Sequence, residues 1–166
     1  MVAVVDSGFA SAALDVFLNV VPGYDFISDA DLSLDGDERD EDATDPGDYG
    51  PDCPMSSWHG TRVASILAAR HDYEGNLGMK GVAQNCTVMP VRVLGECRTG
   101  YASDVADAIV WAAGGEIVDV NTTETPARII MMAFENLPKR VYRFKLQICK
   151  FSCNNRQRVW AHFGGS

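Results

Sequence analysis

The stretch Val2-Ala3-Val4-Val5-Asp6-Ser7-Gly8 decides how this chain is read. Four apolar residues in an unbroken run fit a strand buried on both faces, as in a parallel sheet. The run stops at Asp6-Ser7-Gly8, where glycine permits a sharp turn. In an open parallel sheet, functional groups gather beyond the carboxyl ends of the strands, and Asp6 is predicted to sit at such an end.

Working outward, Tyr24–Ile27 reads as a second strand after the Pro22-Gly23 turn. Residues 28–54 hold eleven acidic side chains from Asp29 to Asp52 among glycines and prolines, which predicts a long loop with a solvated charge run. Residues 59–70 predict a helix, with Val63, Ile66, Leu67 and Arg70 at helical spacing and Gly60, Ala64, Ser65, Ala68 and Ala69 allowing close packing. Asn76 and Gly78 mark the loop after it. Val88–Val93 is the next strand, and Pro90 argues for an edge position because it cannot donate to a ladder. Residues 103–113 predict a helix with Ser103 as N-cap, Asp104 and Asp107 at the positive end of the dipole, and Gly114 as its stop. Its buried stripe is Val105, Ala108, Ile109 and Ala112. Ala127–Met132 reads as a further strand.

Strands alternating with helices predict an α/β fold built on a parallel sheet. At 166 residues and 46% hydrophobic, the chain is long enough for one domain with a core of its own. No apolar run reaches the roughly 18 residues of a membrane span, so no membrane partner is expected. Met1 leads straight into the first strand without a signal-peptide pattern, and the chain as written is expected to stay in the cytoplasm.

The net charge of −9 is unevenly spread. Residues 1–115 hold 19 Asp+Glu against 6 Lys+Arg, whereas residues 116–166 hold 4 against 8. From about residue 135 the periodicity dissolves, and Lys139, Arg140, Arg143, Lys145, Lys150, Arg156 and Arg158 scatter among aromatics. That combination could contact nucleic acid. A frameshifted or disordered segment explains the charge reversal and the lost pattern together, so no nucleic-acid partner is expected. Residues 135–166 are read as a divergent basic tail. Among the five cysteines (53, 86, 97, 149 and 153) no Cys-x-x-Cys pair occurs, and zinc is not expected. Cys86 reads as a small buried apolar side chain.

The second informative stretch is His59-Gly60-Thr61-Arg62-Val63-Ala64-Ser65. A carboxylate beside an imidazole fixes its tautomer and stabilises the imidazolium formed when the ring removes a proton. The imidazole then activates a hydroxyl that is otherwise a poor nucleophile. Either residue alone has a structural explanation: Asp before Ser-Gly is a common turn former, and a lone histidine often only packs. Together, with these flanks, they point to an Asp–His charge system in the chain order of one known serine triad.

With those motifs the chain resembles the subtilisin-like serine proteases. Residues 2–8 match that family's aspartate motif, and residues 59–65 match its histidine motif, usually His-Gly-Thr-His-Val-Ala-Gly. Gly81-Val-Ala-Gln84, Met89–Gly95 and Gly100–Ala113 resemble its following strand, loop and helix, while Pro22–Asp29 and Asp45–Asp48 resemble its secreted bacterial branch. The resemblance covers roughly residues 2–134. It implies a partial doubly wound parallel sheet with helices on both faces, its C-terminal half missing, and a parent protein that is secreted. It also implies a serine endopeptidase in which Asp6 orients His59 and His59 acts as general base and then general acid. Gly100 and Tyr101 would line a loop that pairs with an extended peptide or protein substrate.

Departures from the family pattern carry weight. Arg62 stands where a second histidine is usual and needs room and a partner near the site, and Ser65 stands where glycine is usual. Met131-Met-Ala-Phe134 replaces a Ser-Leu-Gly-Gly-like strand. No Ala-Ala-Gly-Asn-like oxyanion segment and no Gly-Thr-Ser-Met-Ala nucleophile motif occur in the 166 residues, and Ser152 and Ser166 lack such surroundings. The chain is therefore expected to be an inactive fragment of a protease, with a non-catalytic peptide-binding remnant as the alternative. The resemblance requires no cofactor but admits calcium, for which Asp15 is the candidate ligand. It also puts Cys53 and Cys97 in two loops flanking the cleft, bridged if the parent enzyme is secreted and free thiols in a reducing compartment.

Overall fold

The computed structural model describes residues 1–17, 19–70 and 80–133, without the side chains of residues 14–16. The 76–78 loop and the 135–166 tail, with Cys149, Cys153, Ser152 and Ser166, lie outside the described residues, as does the Asp15 side chain.

All five residues of β1 (Val2–Asp6) are buried, as the apolar run predicts. β1 pairs in parallel with β3 (Val88–Arg92), from Val2 opposite Val88 to Asp6 opposite Arg92. On its other side it pairs in parallel with β4 (Ile129–Met132), from Val2 opposite Ile129 to Val5 opposite Met132. The short β2 (Tyr24–Asp25) lies parallel to β3, and the sheet order is β2-β3-β1-β4.

Both faces of this sheet are covered, and the period-two alternation of the strands decides which side chain meets which layer. Ala3 and Val5 join Met89, Val91 and Val93 in packing against α3 (Ala102–Ala112) through Ala108, Trp111 and Ala112. Val4 and Val88 point the other way, onto Val63, Ala64 and Ala68 of α2 (His59–Ala68) and onto Phe9 and Phe17. A buried valine of this kind contributes roughly 1.5–3 kcal/mol relative to an exposed one. The predicted doubly wound α/β arrangement is thus present over the described residues.

Four local expectations differ. Pro90 lies in β3, which is flanked on both sides, opposite Val4. Val88 exchanges bonds with Asn19 and Val21, and the Arg92 carbonyl accepts from Phe26. By alternation, the Pro90 nitrogen faces the Val21–Gly23 stretch rather than β1, so the β1 ladder loses nothing. In α2, Ile66 is exposed and the buried residues are Gly60, Val63, Ala64 and Ala68, a face of small side chains that lets the helix settle close to the sheet. In α3 the N-cap is Tyr101, without a side-chain cap bond, and Ser103 lies inside the helix. Asp104 is fully buried there, accepting from the Ser28 amide and hydroxyl and from Arg39, so tertiary partners shift the helix start. Trp111 joins the buried stripe, its indole N–H donating to the Asn121 carbonyl at 2.6 Å. Gly114 ends α3 with φ +87°, as expected.

The acidic loop is only partly solvated. It contains the short helix α1 (Ala30–Ser33), capped by Asp29, and it buries Ala43, Asp45 and Asp48.

Candidate active site

Asp6 ends β1, and its carbonyl accepts from the Val93 amide at 2.8 Å, which carries the parallel ladder with β3 one rung past Arg92. Its carboxylate is buried. Oδ1 accepts from the Ser7 amide at 2.8 Å and meets His59 Nδ1 at 2.7 Å. Oδ2 is buried without a hydrogen-bond partner among the described residues. With a carboxylate as acceptor, the shared proton sits on Nδ1, which leaves the Nε2 lone pair as the basic atom.

His59 opens α2 after Trp58, whose φ of 52° turns the chain into the helix. Close approach of this helix end to the β1 turn depends on two glycines. A Cβ on Gly60 would lie 2.3 Å from the Gly8 carbonyl oxygen. Gly8 has φ +86°, and a Cβ there would lie 2.4 Å from the Ala43 carbonyl oxygen.

The His59 ring is about one-quarter exposed (26%), so its outer edge remains reachable. The hydrogen bond that His59 donates to Asp6 raises its pKa above the ordinary histidine value, against partial burial, and the Asp6 charge adds to the rise. Arg98 opposes this shift and Asp48 supports it.

The approach to His59 is braced by an Asp48–Ser57 contact that sequence reasoning did not single out and by the Cys53–Cys97 pair that it placed beside the cleft. Asp48 accepts from both the amide and the hydroxyl of Ser57, the latter at 2.5 Å. The Asp48 carbonyl takes the Cys97 amide at 2.8 Å, and a Cys53–Cys97 disulfide joins the two loops. Asp45 and Asp48 belong to a stretch with eleven acidic residues, and the structure buries both.

Gly100 and Tyr101 lie between the Glu96–Arg98 turn and α3. Tyr101 is exposed, with its hydroxyl donating to Asp29 Oδ2 at 3.0 Å. Among the described residues, no hydrogen bond ties either residue to the Asp6–His59 pair. Arg62 faces solvent, so it needs no buried partner. Cys86 is half-buried beside the α2 layer.

Among the described residues no group of three or more His, Cys, Asp or Glu side chains could hold a metal ion. Carboxylates of the acidic stretch are instead engaged within the protein: Asp35 by Arg92, Asp45 by Ser7, and Asp48 by Ser57. No described helix is long and apolar enough to cross a membrane.

A buried aspartate thus ends a parallel strand of an α/β sheet and is bonded to a histidine at the start of a helix. The profile of the Subtilase family matches residues 1–159, and the chain belongs to that family. It is similar to an extracellular protease of Xanthomonas campestris pv. campestris, 45% identical over 141 residues that make up 80% of this chain and 24% of the relative. It is also similar to an extracellular basic protease of Dichelobacter nodosus, at 41% identity over 80% of this chain and 23% of the relative. Among solved structures, a protease from Pseudoalteromonas arctica PAMC 21717 superposes with a TM-score of 0.67 at 44% identity, over 78% of this chain and 39% of that one. The chain thus spans about a quarter of the length of these curated relatives.

Proposed function

We propose that this chain carries the Asp–His portion of a serine endopeptidase site acting on extended peptide or protein substrates. Asp6 orients His59, and His59 Nε2 serves as general base and then general acid. The observation that carries this reading is the 2.7 Å contact between His59 Nδ1 and Asp6 Oδ1 at the carboxyl end of β1. Gly100 and Tyr101 are read as the peptide-pairing loop, which Tyr101's exposure leaves accessible. Residues 1–134 are read as the peptidase portion and 135–166 as a divergent tail, part of which falls within the matched family span. The names of the two bacterial relatives and the Cys53–Cys97 bond support an extracellular, oxidising setting for the parent protein. No step of this reading uses a metal or cofactor.

By themselves these 166 residues are read as inactive. Neither a Gly-Thr-Ser-Met-Ala segment nor an Ala-Ala-Gly-Asn-like segment occurs in the sequence. The same observation favours a second reading, a peptide-binding remnant without catalysis. Incubating the purified chain with a fluorophosphonate probe and with an extended peptide tests both. Covalent labelling of a serine would overturn the inactive reading. Peptide binding without labelling favours the remnant, and neither binding nor labelling would remove it.

A further inference from the structure

We infer that Ser7 and Asp45 are positioning residues that hold the N-terminus of α2, and His59 with it, against Asp6. This rests on the reading of Asp6–His59 as orienter and base. A helix leaves its first amide groups without intrahelical partners, and a side chain at the N-cap usually accepts from one of them. Here the N-cap is Trp58, which makes no side-chain cap bond. The Gly60 amide instead donates to Ser7 Oγ at 3.0 Å, in a buried bond that spans 53 residues of sequence. Ser7 thus caps α2 from across the fold, from the position next to the aspartate that the helix must meet.

The hydroxyl's orientation follows from its chemistry. Ser7 Oγ has one proton, and the Gly60 N–H occupies one of its lone pairs, so the proton goes to Asp45 Oδ2 at 2.8 Å. A hydroxyl that donates to a carboxylate is polarised and becomes a better acceptor for Gly60. Asp45 is fixed in turn. Its Oδ1 accepts from the Gly47 amide at 2.8 Å, and its own amide donates to the Phe9 carbonyl at 2.9 Å. Phe9 also donates to the Ala43 carbonyl at 3.1 Å, which ties the Asp45 segment to the turn after Asp6. Ser7 and Asp45 are both buried, so water does not compete for these bonds. The Ala10 amide donates to Thr61 Oγ1 at 2.8 Å, a second tie between the same turn and the first turn of α2.

The chain Asp45–Ser7–Gly60 therefore runs beside Asp6–His59 and sets the separation of that pair. The test is the NMR titration of the His59 imidazole in the full chain, in Ser7→Ala and Asp45→Asn, and in Val63→Ala as a control that loosens α2 without touching the relay. Asp6, Asp48 and Arg98 also act on this ring and are unchanged in every variant. Ser7→Ala and Asp45→Asn are expected to lower the midpoint by about 0.5 pH units or more, with Val63→Ala at the wild-type value. If Ser7→Ala does not fold, the near-isosteric Asp45→Asn decides. Midpoints equal to wild type, or lowered equally in Val63→Ala, would overturn the inference and leave the Asp6–His59 reading standing. A wild-type midpoint at the ordinary value of about 6.5 would break that reading and this inference together.

Discussion

His59 Nδ1 lies 2.7 Å from Asp6 Oδ1 although 53 residues separate them in sequence. The contact exists because the end of a fully buried strand and the start of a small-residue helix converge on one point. Its energetic signature depends on pH. The folded-state pKa of His59 is raised by its Asp6 partner, so the charge contribution to stability is fully present below about pH 6.5. It is lost as pH rises through the raised folded-state value. Urea unfolding of the wild type and Asp6→Asn at several pH values should show their stability gap widest on the acid side of that window and narrower on the alkaline side.

Gly60→Ala places a Cβ 2.3 Å from the Gly8 carbonyl oxygen and 3.2 Å from the Asp6 Cβ. Either α2 moves away from the turn or the turn shifts. The expected loss is roughly 1–3 kcal/mol by denaturant unfolding, accompanied by a His59 titration closer to that of an isolated imidazole.

Arg92 is buried with its guanidinium on Asp25, Asp35 and the Ser33 carbonyl. Removing one partner of a buried pair leaves the other charge uncompensated. Arg92→Ala is expected to cost on the order of 3–5 kcal/mol, and Arg92→Ala combined with Asp25→Ala less than the sum of the two single changes. A double-mutant cycle in urea measures this.

The Cys53–Cys97 bond closes a sequence separation of 44 residues that includes His59. Chain-entropy reasoning gives about 4 kcal/mol for a loop of that length, as an upper figure. Adding a reductant, or combining Cys53→Ser with Cys97→Ser, should lower the denaturant midpoint accordingly. Near-UV circular dichroism through the transition would report whether the loops before His59 loosen with it.

The sheet and the Asp–His pair were legible because each depends on local pattern. Val2–Val5 has no polar residue to place outside, and Asp6-Ser7-Gly8 and His59-Gly60-Thr61 carry polar groups where an apolar pattern breaks. What was not legible depends on partners distant in sequence. Ser103 has the chemistry of a cap, but Ser28 and Arg39 draw Asp104 inward and Tyr101 takes the cap position. Pro90 fits a flanked strand because its nitrogen faces a turn. Ile66 suits a buried face by type, yet Ala64 and Ala68 lie nearer the sheet, where a larger side chain would hold the helix away. Asp45 lies in a segment that resembles the family, but its bond to Ser7, 38 residues away in sequence, exists only once the fold brings the two together.

The central claim is that Asp6 holds His59 as a base. Its most direct measurement is the pH titration of the His59 imidazole by NMR in the full chain and in Asp6→Asn. The account predicts a wild-type midpoint above the ordinary value of about 6.5, falling when Asp6 becomes Asn. A wild-type midpoint at or below that value, unmoved by Asp6→Asn, would contradict it.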